Sequence, residues 1–191
     1  MKQELVDKKY LLIPNFIDRV TAQEYGDEFI KDDFKYQYES DYEHAPNAAG
    51  LYNPIGAAEL LCNKTAEVSE IIGETVVPTY SFGRIYRQGD KLLEHTDRAA
   101  CEISLTVHLW GDDEWFFSCY DKVFSLNSGD AILYLGTLVP HKRIGAYAGN
   151  EYAQFFLHYV RSRGCHRHAI FDSTPVTRDN QTLIKELNGI R

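Results

Sequence analysis

The chain has little sulfur and little positive charge. Four cysteines (Cys62, Cys101, Cys119, Cys165) are spread over 191 residues, with no close pair among them. In a chain expected in the cytosol the four read as free thiols. Cys165-His166-Arg167-His168 has the residue types of a metal site, but no second Cys or His cluster completes it. Lys and Arg number 20 against 28 Asp and Glu, for a net charge of -8. A field of that sign repels a polyanion, so nucleic acid is not an expected partner. The cluster Arg161, Arg163, Arg167 and His168 reads as a solvated C-terminal segment. No apolar run is long enough to cross a bilayer, and residues 1–9 are charged, without the apolar core of a signal peptide. No membrane partner is expected, and the expected location is cytoplasmic.

Aromatic residues are plentiful. With 13 Tyr and 10 Phe, the composition favours β structure and a pocket with aromatic walls. The length suits one domain with a sizeable core, expected to span 1–191. Two textures divide it. In residues 1–78, Tyr10-Leu11-Leu12-Ile13 reads as a strand limited by Pro14. Thr21-Ala22-Gln23-Glu24 has a capping-box pattern and predicts a helix to about Asp32. Residues 34–54, rich in Tyr, Asp, Asn and Gly, read as one long functional loop. Residues 57–72 carry apolar side chains at helical spacing and end at Gly73.

From 79 to 161 the texture is that of strands. Candidates are 79–87, 92–97, 102–110, 114–125, 131–135, 140–147 and 152–161, separated by turn signals such as Gln88-Gly89-Asp90 and Asn127-Ser128-Gly129-Asp130. Seven or eight short strands with polar turns predict a sandwich or jelly roll. Residues 162–191 form an extension with a last helix near 178–187.

Alternation places side chains. In 102–110, Ile103, Leu105, Val107 and Leu109 share one face, and Ser104, Thr106 and His108 share the other. That polar stripe either faces solvent or lines a wet site. His95 and Asp97 are two apart, so a strand points both to one side. His141 begins a late strand, and Arg143 shares its face. Two imidazoles and a carboxylate can hold a divalent metal on one face and leave the opposite positions open.

The chain resembles the 2-oxoglutarate- and Fe(II)-dependent dioxygenases, in particular their prolyl-4-hydroxylase-like branch. The resemblance runs from about Tyr10 to Arg161. It rests on Tyr86-Arg87-Gln88-Gly89-Asp90 leading to His95-Thr96-Asp97, then Gly129-Asp130-Ala131-Ile132-Leu133-Tyr134, then His141. The resemblance implies a mainly β fold with flanking helices, a double-stranded β-helix with the N-terminal helices packed on its major sheet. It implies Fe(II) held by His95, Asp97 and His141, with 2-oxoglutarate and O2 as cosubstrates. Tyr86 and His108 sit where the family places cosubstrate contacts. The implied reaction hydroxylates an unactivated C–H bond while 2-oxoglutarate is converted to succinate and CO2. The implied substrate is a prolyl or other residue of a peptide, or else a free amino acid or small metabolite.

One departure stands out. Nine to twelve residues after the distal histidine the family carries an Arg or Lys for the far carboxylate of 2-oxoglutarate. Here the window reads Asn150-Glu151-Tyr152-Ala153. Arg143 is the expected replacement and Arg84 the second. Arg98 is expected at the site mouth, and Tyr36, Tyr38, Tyr42, His44, Asn47 and Tyr52 as a wall or lid for substrate. The missing base also leaves open a non-catalytic or cupin-like jelly roll that holds a metal without turning over 2-oxoglutarate.

Overall fold

The computed structural model describes residues 1–32, 39–41 and 43–169. Tyr36, Tyr38, Tyr42 and the expected helix near 178–187 lie outside them.

Two antiparallel sheets face each other. The chain begins with α1 (Gln3–Lys8), β1 (Tyr10–Ile13), α2 (Arg19–Asp32), β2 (Glu39–Asp41), β3 (Ala45–Tyr52) and α3 (Ile55–Ile72). It continues through β4 (Val76–Arg87), β5 (Ile103–Gly111), β6 (Phe117–Cys119), β7 (Lys122–Phe124), β8 (Ala131–Tyr134), β9 (His141–Arg143) and β10 (Glu151–Arg161). The large sheet runs β1-β8-β5-β10-β4-β3-β2 and the small one β7-β6-β9. This is a jelly roll with helices against one face of the large sheet, as expected. No described helix is long and apolar enough to cross a membrane.

The strand pattern explains the layers. β5 and β10 are buried almost from end to end, because both of their faces are covered. Phe155 of β10 packs on Phe29 of α2, ring centroids 5.5 Å apart, and the Tyr159 hydroxyl donates to the Leu61 carbonyl of α3. The odd-numbered side chains of β10 therefore face the helices and the even-numbered ones face the small sheet. Register carries the rule to neighbouring strands: Gln154 lies opposite Arg84 and His108, and His158 opposite Tyr80 and Ser104. The apolar stripe of β5 thus lies under the helices. Its polar stripe faces inward, which decides between the two readings of that strand.

Several local expectations need correction. Helix α2 starts at Arg19, before Thr21, because Asp18 is the cap: its carboxylate accepts the Thr21 N–H at 3.0 Å and the Thr21 hydroxyl at 2.6 Å. The expected long loop 34–54 contains β2 and β3, which extend the large sheet by pairing with β4. β4 begins at Val76 and passes through Pro78, where a register shift opposite His158 and Tyr159 relieves the missing N–H. The expected single strand 114–125 is a hairpin, turned by Tyr120 at φ 57°. The Gly129 turn has φ 92°, and a Cβ there would strike the Ile17 carbonyl.

Candidate metal centre

The turn after β4 aims the next segment across the mouth of the barrel. Asp90 accepts the Arg87 N–H at 2.7 Å, closing that turn. Residues 92–97 then run beside β9 but pair with it as a strand only at His95 and His141. The Leu92 carbonyl also accepts the Arg143 N–H at 3.1 Å, but the Leu93 N–H bonds to the His44 carbonyl at 2.8 Å and the Asp97 N–H to the Gly136 carbonyl at 2.9 Å, so the expected strand over 92–97 is absent. The expected strand 140–147 is likewise cut to three residues, β9. Beyond Arg143 the chain turns away through Gly145 at φ 72°, and Tyr147 N–H bonds to the Asp90 carbonyl instead.

This routing gathers His95, Asp97 and His141, with ligand-type atoms all within 4.8 Å of one another. Asp97 Oδ1 lies 3.8 Å from His95 Nε2 and 3.6 Å from His141 Nε2. Each imidazole is fixed from behind. His95 Nδ1 donates to the Leu93 carbonyl at 2.7 Å and His141 Nδ1 to the Val139 carbonyl at 3.0 Å. A carbonyl only accepts, so both rings carry the proton on Nδ1 and turn an Nε2 lone pair toward Asp97. Burial lowers both imidazoles to about 4, with His141 adding to the effect on His95, so both are neutral at pH 7. The other carboxylate oxygen of Asp97 accepts the Ser104 hydroxyl at 2.7 Å. Gly136 makes room for it: a Cβ there would collide with Asp97 Oδ2 and the Cys101 carbonyl, and would stand 2.7 Å from Ser104 Oγ. Two neutral nitrogens and one carboxylate oxygen, converging and held from behind, suit a divalent transition metal.

Beside the cluster opens a cavity of about 560 Å³. Tyr52, Tyr80, Phe82 and Phe156 line it, as do Arg84 and Arg98. Arg98 lies over the Tyr80 ring at 4.7 Å, and His44 stacks on His95 with centroids 4.3 Å apart.

Deeper between the sheets lies a second polar layer. Arg143 is 3% exposed and enclosed by the rings of Trp115, Phe117 and Tyr152 at 4.6–5.3 Å. Its guanidinium donates to the Trp115 carbonyl at 2.6 Å, the Tyr152 hydroxyl at 2.7 Å and Gln154 Oε1. None of these carries a charge. Among the described residues no carboxylate pairs with Arg143, and its Nε has no hydrogen-bond partner. The same holds for Thr106 Oγ1, His108 Nδ1 and Gln154 Nε2, all buried on this inner face. Burial, followed by the charge of Arg143, lowers His108 to about 3. Tyr86 is fully buried in the same layer against Trp115. A buried cation beside unpaired donors is costly in isolation, and an anionic ligand would satisfy it. The donor set therefore suits an anionic group such as a carboxylate. Arg84 lines the cavity, whereas Arg143 stands behind its wall.

Of the expected site residues, His95, Asp97, His141, Arg84, Arg98 and Tyr52 line this cavity, whereas Tyr86, His108 and Arg143 belong to the buried layer between the sheets. Sequence reasoning missed Tyr80, Gln154, Phe156 and His158. Alternation along β10 carries the signal for the last three.

Among the described residues two more groups bring ligand-type atoms within 4.8 Å of one another. One is Asp97, Cys101 and His158; the other is Glu102, Cys165 and His166. In the second, Glu102 is already engaged by the Arg161 N–H at 2.9 Å and the Arg161 Nε–H at 2.7 Å.

No family model and no curated protein matches the sequence. Solved structures do match. A Pseudomonas putida prolyl-4-hydroxylase superposes with a TM-score of 0.62 at 16% identity, covering 84% of this chain and 96% of that one. The chain has the fold of the 2-oxoglutarate- and Fe(II)-dependent oxygenases. A Trichoplax adhaerens prolyl hydroxylase, solved with a peptide fragment of hypoxia inducible factor, gives 0.60 at 14% identity, over 82% and 86% of the two chains. HygX from Streptomyces hygroscopicus, solved with nickel and 2-oxoglutarate, gives 0.62 at 10%, over 85% and 88%.

Proposed function

We propose that the protein is a 2-oxoglutarate- and Fe(II)-dependent dioxygenase that hydroxylates an unactivated C–H bond. The observation that carries this is the convergence of two backbone-anchored imidazoles on one oxygen of Asp97, beside a cavity with aromatic walls. In this reading His95, Asp97 and His141 hold the metal. When bound, Fe(II) and 2-oxoglutarate supply the oxidising chemistry that converts C–H to C–OH with O2 and releases succinate and CO2.

The chain supplies position and exclusion. Ser104 and Gly136 hold Asp97 with one oxygen toward the histidines. Arg143 offers its charge to the far carboxylate of the cosubstrate, with Thr106 and Gln154 as further donors and Tyr86 and His108 closing the layer. Arg84 is the second anchor, reaching from the cavity wall. The rings of Tyr80, Phe82 and Phe156 keep bulk water from the reacting centre. Arg98 and Tyr52 contact substrate at the mouth. No side chain need act as a general base.

The substrate is a prolyl or other residue of a peptide, or a small molecule. The peptide-bound Trichoplax enzyme supports the first, and HygX, solved elsewhere with hygromycin B, the second. Asp97→Ala tests the assignment. Fe(II)-dependent succinate formation is expected in the parent and only background in the variant. An equal rate in both would contradict it.

A further inference from the structure

A further histidine, buried like His108 and His141, faces the cavity and has no place in the mechanism above. His158 comes from β10, is 5% exposed, and lines the cavity beside the metal-ligand cluster. Its ring lies 4.5 Å from the Tyr80 ring and runs parallel, within 5°, to that of Phe156, whose centroid is 6.4 Å away.

Hydrogen counting fixes its tautomer. Ser104 Oγ, besides the Tyr134 hydroxyl, meets Asp97 Oδ2 at 2.7 Å, the Cys101 carbonyl at 3.2 Å and His158 Nδ1 at 3.0 Å. The carboxylate and the carbonyl only accept, and the serine hydroxyl has one proton to give. That proton goes to Asp97, so the contact with His158 requires Nδ1–H as donor. His158 Nε2 is then an unprotonated acceptor. It has no hydrogen bond among the described residues, nor is it among their sealed, unpartnered atoms, so it opens on the cavity. Burial lowers this imidazole to about 4, which keeps it neutral. A metal held by Asp97, Cys101 and His158 is the competing use. Ser104 already occupies Asp97 Oδ2, and Cys101 Sγ already lies 3.0 Å from the Tyr80 hydroxyl.

We propose that His158 Nε2 is the substrate-recognising acceptor of the cavity, taking a hydrogen bond from a hydroxyl or N–H on a flat, apolar part of the substrate. The proposal rests on the oxygenase reading of the same site. Tyr80, Phe82 and Phe156 supply the flat apolar walls, and the Asp97–Ser104–His158 chain ties the acceptor to a metal ligand. The chain therefore places the recognised donor close to the reacting centre.

Two measurements on the full chain test this. The first is nitrogen-detected NMR of histidine-labelled protein loaded with Zn(II) as a diamagnetic stand-in. A protonated Nδ1 and bare Nε2 are expected for His158; a protonated Nε2, or an Nε2 shifted by Zn(II) coordination, would overturn the proposal. The second compares phenol and anisole, which differ in one hydroxyl donor, as probes of the Zn(II)- and 2-oxoglutarate-treated protein. Phenol is expected to bind roughly 3- to 10-fold more tightly, the worth of one neutral hydrogen bond. His158→Phe should remove the preference and His158→Gln should restore part of it. Equal or absent binding of the pair to the parent protein, or an undiminished preference in His158→Phe, would overturn it. Neither readout requires turnover, so the oxygenase reading stands or falls separately, on succinate formation.

Discussion

Replacing Arg143 with Met separates its structural role from its proposed role in binding 2-oxoglutarate. The guanidinium is buried without a counter-charge among the described residues, and its three acceptors are neutral. Losing three hydrogen bonds from a charged donor costs about 1.5–3 kcal/mol each. Removing an uncompensated buried cation returns several kcal/mol of desolvation. The two effects oppose each other, so the stability of the metal-free protein should fall by less than about 5 kcal/mol. Affinity for 2-oxoglutarate should respond differently. A charge-assisted hydrogen bond is worth about 1.5–3 kcal/mol, which corresponds to roughly a 10- to 150-fold rise in Kd. Metal affinity should barely move, because His141 is oriented by the Val139 carbonyl and not by Arg143. Calorimetric titration under argon, first with Fe(II) and then with 2-oxoglutarate, reads both constants. An unchanged 2-oxoglutarate Kd would refute the reasoning and move the anchor to Arg84. A parallel loss of metal binding would make Arg143 a support of the barrel.

Other consequences follow from the same geometry. Gly136→Ala places a Cβ against Asp97 Oδ2, so metal Kd should rise about 10- to 100-fold, as when a ligand's supporting contact is lost; an unchanged metal titration would show that the loop gives way freely. Ser104→Ala frees the same oxygen and should weaken metal binding by less than Gly136→Ala, since nothing is pushed out of place. Acid should unfold the metal-free protein. His95, His141 and His158 have folded values near 4 and His108 near 3, all below the ordinary 6.5. The unfolded chain then binds more protons, and stability present above pH 6.5 is lost as pH falls toward the folded values. Each of these histidines costs about 2 kcal/mol by pH 5. Denaturant midpoints flat from pH 7 to pH 5 would contradict this, and added divalent metal should shift the loss to lower pH.

The sequence made the barrel legible where side-chain alternation is strong. The stripes of Ile103 to Leu109 and Ser104 to His108 mark an element buried on both faces. β3 was hidden because Ala45-Pro46-Asn47-Ala48-Ala49-Gly50 has weak strand propensity. It is a strand because its Ala49–Tyr52 stretch pairs with β4, a contact that local pattern does not encode. The hairpin β6–β7 was hidden for the opposite reason: its apolar residues run through the turn at Tyr120. At the site, His95, Asp97 and His141 could be named because their order and spacing carry a pattern. His158 could not, since what marks it is a tautomer set by Ser104, a residue 54 positions away in sequence.

The central claim is that the His95, Asp97 and His141 cluster holds Fe(II) with 2-oxoglutarate bound to it. An anaerobic absorbance titration of metal-free protein tests this most directly. A visible charge-transfer band that appears only when both Fe(II) and 2-oxoglutarate are present, and is lost in Asp97→Ala, is the expected result. Demonstrated Fe(II) binding with no such band would contradict the claim and favour a jelly roll that holds metal without 2-oxoglutarate.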